Sequence, residues 1–285
     1  MKGGFSLFNG KFYRESDPLF TGADLARLNS GICESFRAEN NRVIFVRENY
    51  NFLIDSLQAI DLSIPAEWNF PRFIKDVSRL LNKNHLYLSA KVVIHFIPGV
   101  SGTDYLMMAE EMSGSFFAVS DSGLLIDFYD DGAKGTSIHC NYEPSSRSLW
   151  AMAARSVALQ SKQNLILLNS KGFACESIGG SFGYLTGQKA FFPSPASLGY
   201  IPAMTDMVKN CAEECGYQPH INPEIKRTDL LDADELFLID NCHGIQSVLG
   251  LYARRYYTDG TMAISARVAG RARNDNFFDQ HPPQN

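Results

Sequence analysis

Residues 167–176 read LLNSKGFACE. Leu165–Leu168 is a short continuous apolar run, as a buried strand requires. Ser170-Lys171-Gly172 has turn chemistry, and Phe173–Glu176 reads as a strand pairing back on the first. The hairpin ends in a carboxylate at Glu176 and runs into a stretch, Ser177–Gly183, that reads as a Gly-rich turn. Downstream, Pro202–Cys215 has helical spacing and is closed by Gly216, and Asp232–Asp240 enters a strand that Gly244–Leu251 continues past a break at Asn241–His243. Upstream, Ser148–Ser161 predicts a helix built on Leu149, Met152, Ala153 and Val157, and Leu124–Tyr129 a strand.

The first third of the chain has its own pattern. Phe5–Phe8 and Lys11–Tyr13 flank Asn9-Gly10, a type I′ hairpin signal. Ile32–Ala38 and Arg42–Val46 predict a second hairpin around Asn40-Asn41. Glu48–Ile60 and Phe73–Leu81 have helical spacing, His85–Phe96 reads as a long strand, and Met107–Met112 continues it with mixed polarity. Ser113–Gly123 is rich in Ser and Gly and marks a boundary. The expected organisation is an α/β (α+β) chain with an N-terminal domain over 1–114, a linker over 115–122, and a second domain over 123–285 ending in a polar tail. No internal repeat is evident.

The chain has 285 residues with 26 Lys plus Arg against 31 Asp plus Glu, a formal charge of −5, and 45% apolar residues. That composition supports a true core and excludes disorder as the main state. The acidic excess gives no basic surface for nucleic acid. No stretch has the roughly 20 mostly apolar residues of a membrane span, and the N-terminus lacks the apolar region of a signal peptide. Six scattered cysteines read as reduced thiols of a cytoplasmic protein. Cys211 and Cys215 sit four apart, but no second Cys or His pair completes a metal site.

Five segments, in order, resemble the class-IV aminotransferases, the fold-type IV pyridoxal-phosphate enzymes that include branched-chain and D-amino-acid aminotransferases and aminodeoxychorismate lyases. They are FNGKFY (8–13), GICESFR (31–37), LLNSKGFACE (167–176), SLGYI (197–201) and ADELFL (233–238), the last followed by Gly244-Ile245. The resemblance spans about Phe8 to Ala263. It implies two domains with a cofactor cleft between them, and usually a homodimer. It also implies that Arg37 grips the cofactor phosphate, for which a guanidinium's paired donors are suited. Glu176 would pair with the pyridine nitrogen and keep it protonated. Backbone N–H groups near Ile201 and at Asn241-Cys242 would complete the phosphate cup.

The chemistry of the family needs a Lys that forms the Schiff base. The matching stretch is Cys140-Asn-Tyr-Glu-Pro-Ser-Ser-Arg-Ser-Leu149, with Glu143 at the lysine's position and Arg147 at that of a Tyr. Lys134, nine residues upstream, is the weak fallback; its surroundings, Asp-Asp-Gly-Ala-Lys-Gly, read as a solvated turn. Ser181 replaces a usual Asn, and Pro202 removes one N–H from the helix entry. The favoured expectation is therefore an aminotransferase-like protein without lysine-dependent transamination. It would bind a small anionic or amino-acid-like ligand, or pyridoxal phosphate non-covalently, in the cleft. Alternatives are an active aminotransferase or lyase using a displaced lysine, and a different enzyme using Glu143 as acid or base. Arg147 and Arg37 would partly offset the repulsion between Glu143 and an anionic ligand.

Overall fold

The computed structural model describes residues 4–18, 30–99, 102–114, 116–117, 122–160 and 162–278. Contacts group the chain into two units that divide between Phe116 and Phe117, a point inside the Ser/Gly-rich stretch. The described residues from Ala272 onward group with the first unit, whereas the sequence assigns them to the second domain. One contact that holds them there is the Phe45 N–H, which donates to Asp275 Oδ2 at 2.8 Å.

The first unit is built on six strands: β1 (Phe5–Phe8), β2 (Lys11–Arg14), β3 (Ile32–Glu39), β4 (Arg42–Val43), β5 (Ser89–Pro98) and β6 (Thr103–Glu111), in the order β2-β1-β6-β5-β3-β4, all pairs antiparallel. Asn9 and Gly10 both have positive φ (46° and 79°), as the β1–β2 turn demands. Two helices, α1 (Val46–Ala59) and α2 (Phe70–Lys83), cover one sheet face. Their Leu53, Leu57, Phe73, Val77, Leu80 and Leu81 pack against Ile32, Phe36, Val92, Ile94 and Phe96. The Asn69 side chain accepts from the Arg72 N–H and caps α2. The strand expected from His85 begins only at Ser89, because His85 sits at a positive φ of 58° and Leu88 is 74% exposed. The expected strand over Arg42–Val46 ends at Val43, where the chain turns into α1.

The second unit carries a nine-stranded mixed sheet. Its strands are β7 (Leu124–Phe128), β8 (Asn164–Leu168), β9 (Ala174–Ser177), β10 (Ser181–Thr186), β11 (Lys189–Pro193), β12 (Gln218–Asn222), β13 (Glu235–Asp240), β14 (Gly244–Leu251) and β15 (Arg254–Arg255). The order is β12-β11-β10-β13-β14-β7-β8-β9, with β15 paired to β14. Helices α3 (Arg147–Gln160), α4 (Met204–Glu214), α5 (Arg227–Asp232) and α6 (Asp259–Phe278) as far as Arg271 complete it. The Gly-rich stretch turns only as far as Gly180, and Gly183 lies inside β10. A Cβ there would collide with the Phe237 ring, so glycine marks close packing and not a turn. α5 and α6 were not anticipated.

Candidate functional site

The site grows out of the β8–β9 hairpin. Leu167 pairs with Glu176 across the two strands, and Glu176 is fully buried. A carboxylate inside an apolar layer needs donors and a counter-charge. Lys134 supplies the charge. The chain leaving β7 passes Asp130 and Asp131 and then runs beside the end of β8. There the Lys134 N–H donates to the Leu168 carbonyl at 2.8 Å and Lys134 bridges to Asn169. This places its side chain against the hairpin, 1% exposed, with Nζ 2.5 Å from Glu176 Oε2.

The composition of the segment predicts a solvated turn around Lys134; the structure overturns that. The backbone bridge to β8 carries the lysine inward, away from the two aspartates that precede it.

Three further donors converge on the same carboxylate. Ser146 Oγ donates to Oε2 at 3.0 Å and also accepts from Lys134 Nζ. Trp150 Nε1, one helical turn further on α3, donates to Oε1 at 3.1 Å. The Tyr200 N–H donates to Oε2 at 2.6 Å. Tyr200 can come this close because Gly199 lies against the Cys175 carbonyl, where a Cβ would overlap it. The Trp150 and Tyr200 rings meet edge to face, centroids 5.2 Å apart. Oε2 takes three donors and Oε1 one. Burial, with the neighbouring Glu176 charge, pushes the Cys175 thiol well above its ordinary range.

Glu143 is elsewhere in the unit. It opens a short helical turn, Glu143–Ser145, and is gripped by Arg147, whose Nε and Nη2 meet its two oxygens at 2.8 and 2.6 Å. The two residues expected at the Schiff-base lysine and near the anion are thus paired with one another.

The helix entry has its own internal partners. Ile201 is half-buried, Pro202 brings no N–H, and the Met204 N–H donates to Asn241 Oδ1 at 3.0 Å. Asn241 thus takes the N–H donor at the start of α4. The Cys242 and His243 N–H groups both donate to Asp240 Oδ1 at 2.7 Å. Arg37 belongs to the first unit and is 3% exposed. Its Nε meets Glu39 Oε1 at 2.5 Å, and its Nη2 donates to Ser89 Oγ and the Gly114 carbonyl at 3.1 and 3.0 Å.

Glu176, which would meet the pyridine nitrogen, already faces an ammonium. Of the groups expected around the phosphate, Arg37 is bonded to Glu39 and the Cys242 N–H donates to Asp240 Oδ1. Sequence reasoning missed Ser146, Trp150 and the Tyr200 N–H, and set Lys134 aside. The one available signal was Glu176 itself, since a carboxylate in a buried strand calls for a cation from elsewhere in the chain.

Among the described residues no group of three or more His, Cys, Asp or Glu could hold a metal ion, and no helix is long and apolar enough to cross a membrane. No family model and no curated protein matches the chain. Solved structures do. A hypothetical aminotransferase from Mycobacterium tuberculosis, in its α-ketoglutarate- and PMP-bound form, superposes with a TM-score of 0.82 at 17% identity, over 95% of this chain and 100% of that one. A branched-chain aminotransferase from Thermoproteus uzoniensis with norvaline gives 0.82 at 16%, over 97% and 98%. A fold IV transaminase from Curtobacterium pusillum gives 0.79 at 18%, over 93% of each chain. The chain has the fold of the fold-type IV aminotransferases.

Proposed function

We propose that this chain keeps the fold-type IV aminotransferase scaffold without lysine-dependent transamination, and that it binds a small anionic or amino-acid-like ligand. The observation that carries the first part is the ion pair between Lys134 and Glu176. Lys134 supplies an internal cation where the resemblance puts a pyridinium, and Ser146, Trp150 and Tyr200 hold it there. The pyridine nitrogen and the aldehyde carbon lie at opposite ends of the cofactor ring. A lysine touching Glu176 is therefore at the wrong end for Schiff-base formation. The ligand class rests on the neighbours, two of which hold α-ketoglutarate or norvaline, both small carboxylates.

A second reading has one observation in its favour. Lys134 is a buried primary amine in the same pocket as Glu176, so a displaced-lysine enzyme would use it after it leaves that carboxylate. Incubation of the purified chain with pyridoxal phosphate, borohydride reduction and peptide mass mapping separates the two. The expected result is no phosphopyridoxyl group on any lysine. Its appearance on Lys134 would overturn the favoured reading and promote the second.

A further inference from the structure

The six-stranded sheet of the first unit has a second face. Side chains alternate along a strand, so Cys33, Ser35 and Arg37 on β3 lie on the face opposite Ile32, Phe36 and Ala38, away from the core beneath α1 and α2. On β5 the register partner of Cys33 is His95, and Cys33 Sγ lies 3.4 Å from His95 Nε2. Both side chains are half-buried. Ser35 and its partner Val93, both half-buried, lie one step along the same face. Met108, which pairs with Val93 from β6, is 36% exposed.

The other thiols are differently placed. Cys140, Cys175, Cys211 and Cys242 are buried, and burial pushes Cys175 and Cys211 up, the latter to about 11. Cys215 is half-buried at the end of α4, where its own N–H bonds back to Cys211 and Ala212. An imidazole within hydrogen-bond reach can take a thiol's proton and leave the thiolate, which is the nucleophilic form.

We propose that Cys33 and His95 form a nucleophile–base pair and that Cys33 is a covalent modification site for small carbon electrophiles. In the step, the thiol proton passes to His95 Nε2 and the sulfur lone pair forms a C–S bond. With an alkylating reagent the carbon–halogen bond breaks and the halide leaves with its electron pair. With a carbonyl compound the π pair moves to oxygen, which takes the proton back from His95. Neither route needs an oxidant or a metal. The small, partly apolar surroundings set by Ser35, Val93 and Met108 suit a compact electrophile.

The test is iodoacetamide labelling of the full chain near neutral pH, read by peptide mass mapping. Cys33 is expected to label about tenfold faster than Cys215, and to keep its rate below the ordinary thiol range near about 8.5. His95→Gln should bring the Cys33 rate down to that of Cys215. Equal rates for Cys33 and Cys215 in the unaltered chain would overturn the proposal. So would a Cys33 pH profile that rises only above the ordinary thiol range, or an unchanged Cys33 rate in His95→Gln. The first two readings need no variant, so the test stands even if His95→Gln fails to fold.

Discussion

Two ion pairs in the second unit use the same chemistry and differ in what holds them. Glu143 and Arg147 are four residues apart, one opening a short helical turn and the other the first residue of α3, so neighbouring turns of the chain bring them together. Their side chains are 9% and 26% exposed. Lys134 and Glu176 are 42 residues apart, 1% and 0% exposed, and meet only after β7, β8 and β9 have paired. A pair that keeps one partner in contact with water tolerates the loss of a member better than a fully buried one, which is left with an uncompensated charge.

The largest break is at Glu176. Glu176→Ala strands the Lys134 ammonium and three other donors, and should cost about 3–5 kcal/mol, read from the shift in urea midpoint. The sharper form removes both charges. Lys134→Met combined with Glu176→Gln should recover most of the loss seen in Lys134→Met alone. A double variant as unstable as the sum of the single ones would show that the two groups act independently.

A smaller effect is expected at Gly199, which touches neither charge. Gly199→Ala drives a methyl into the Cys175 carbonyl and should move the Tyr200 N–H off Glu176, with a loss of about 1–3 kcal/mol from overpacking. Amide hydrogen exchange should show Tyr200 losing protection while α6 keeps it. Unchanged protection at Tyr200 would mean that the backbone donor does not depend on the glycine.

The smallest effect belongs to the local pair. Glu143→Gln should cost about 1–2 kcal/mol, read from the shift in urea midpoint, although Glu143 stands where the family's chemistry would put its lysine. A loss as large as that of Glu176→Ala would erase the distinction between the two pairs.

What could be read in advance follows the same division. The strands at Leu165–Leu168 and Gly244–Leu251, the Asn9-Gly10 hairpin and the helices around Val77 and Val157 are written in short-range periodicity and turn chemistry. So is the marker carboxylate at Glu176. Gly183 misled because glycine serves both turns and tight packing, and only the Phe237 ring against it decides between them. α6 carries apolar Ile264 and Val268 among charged neighbours and ends in a stretch that reads as a polar tail. Its last described turns are kept by partners such as Phe45, which lie some 230 residues earlier in the chain.

Local sequence determined most of the strands and helices, because the interactions involved reach only a few residues. The tertiary structure alone decided that Lys134, set among aspartates and glycines, would be buried against Glu176. Composition describes a segment's average affinity for water, whereas a single backbone bridge to β8 aims one side chain, and burial then fixes which charge it must meet.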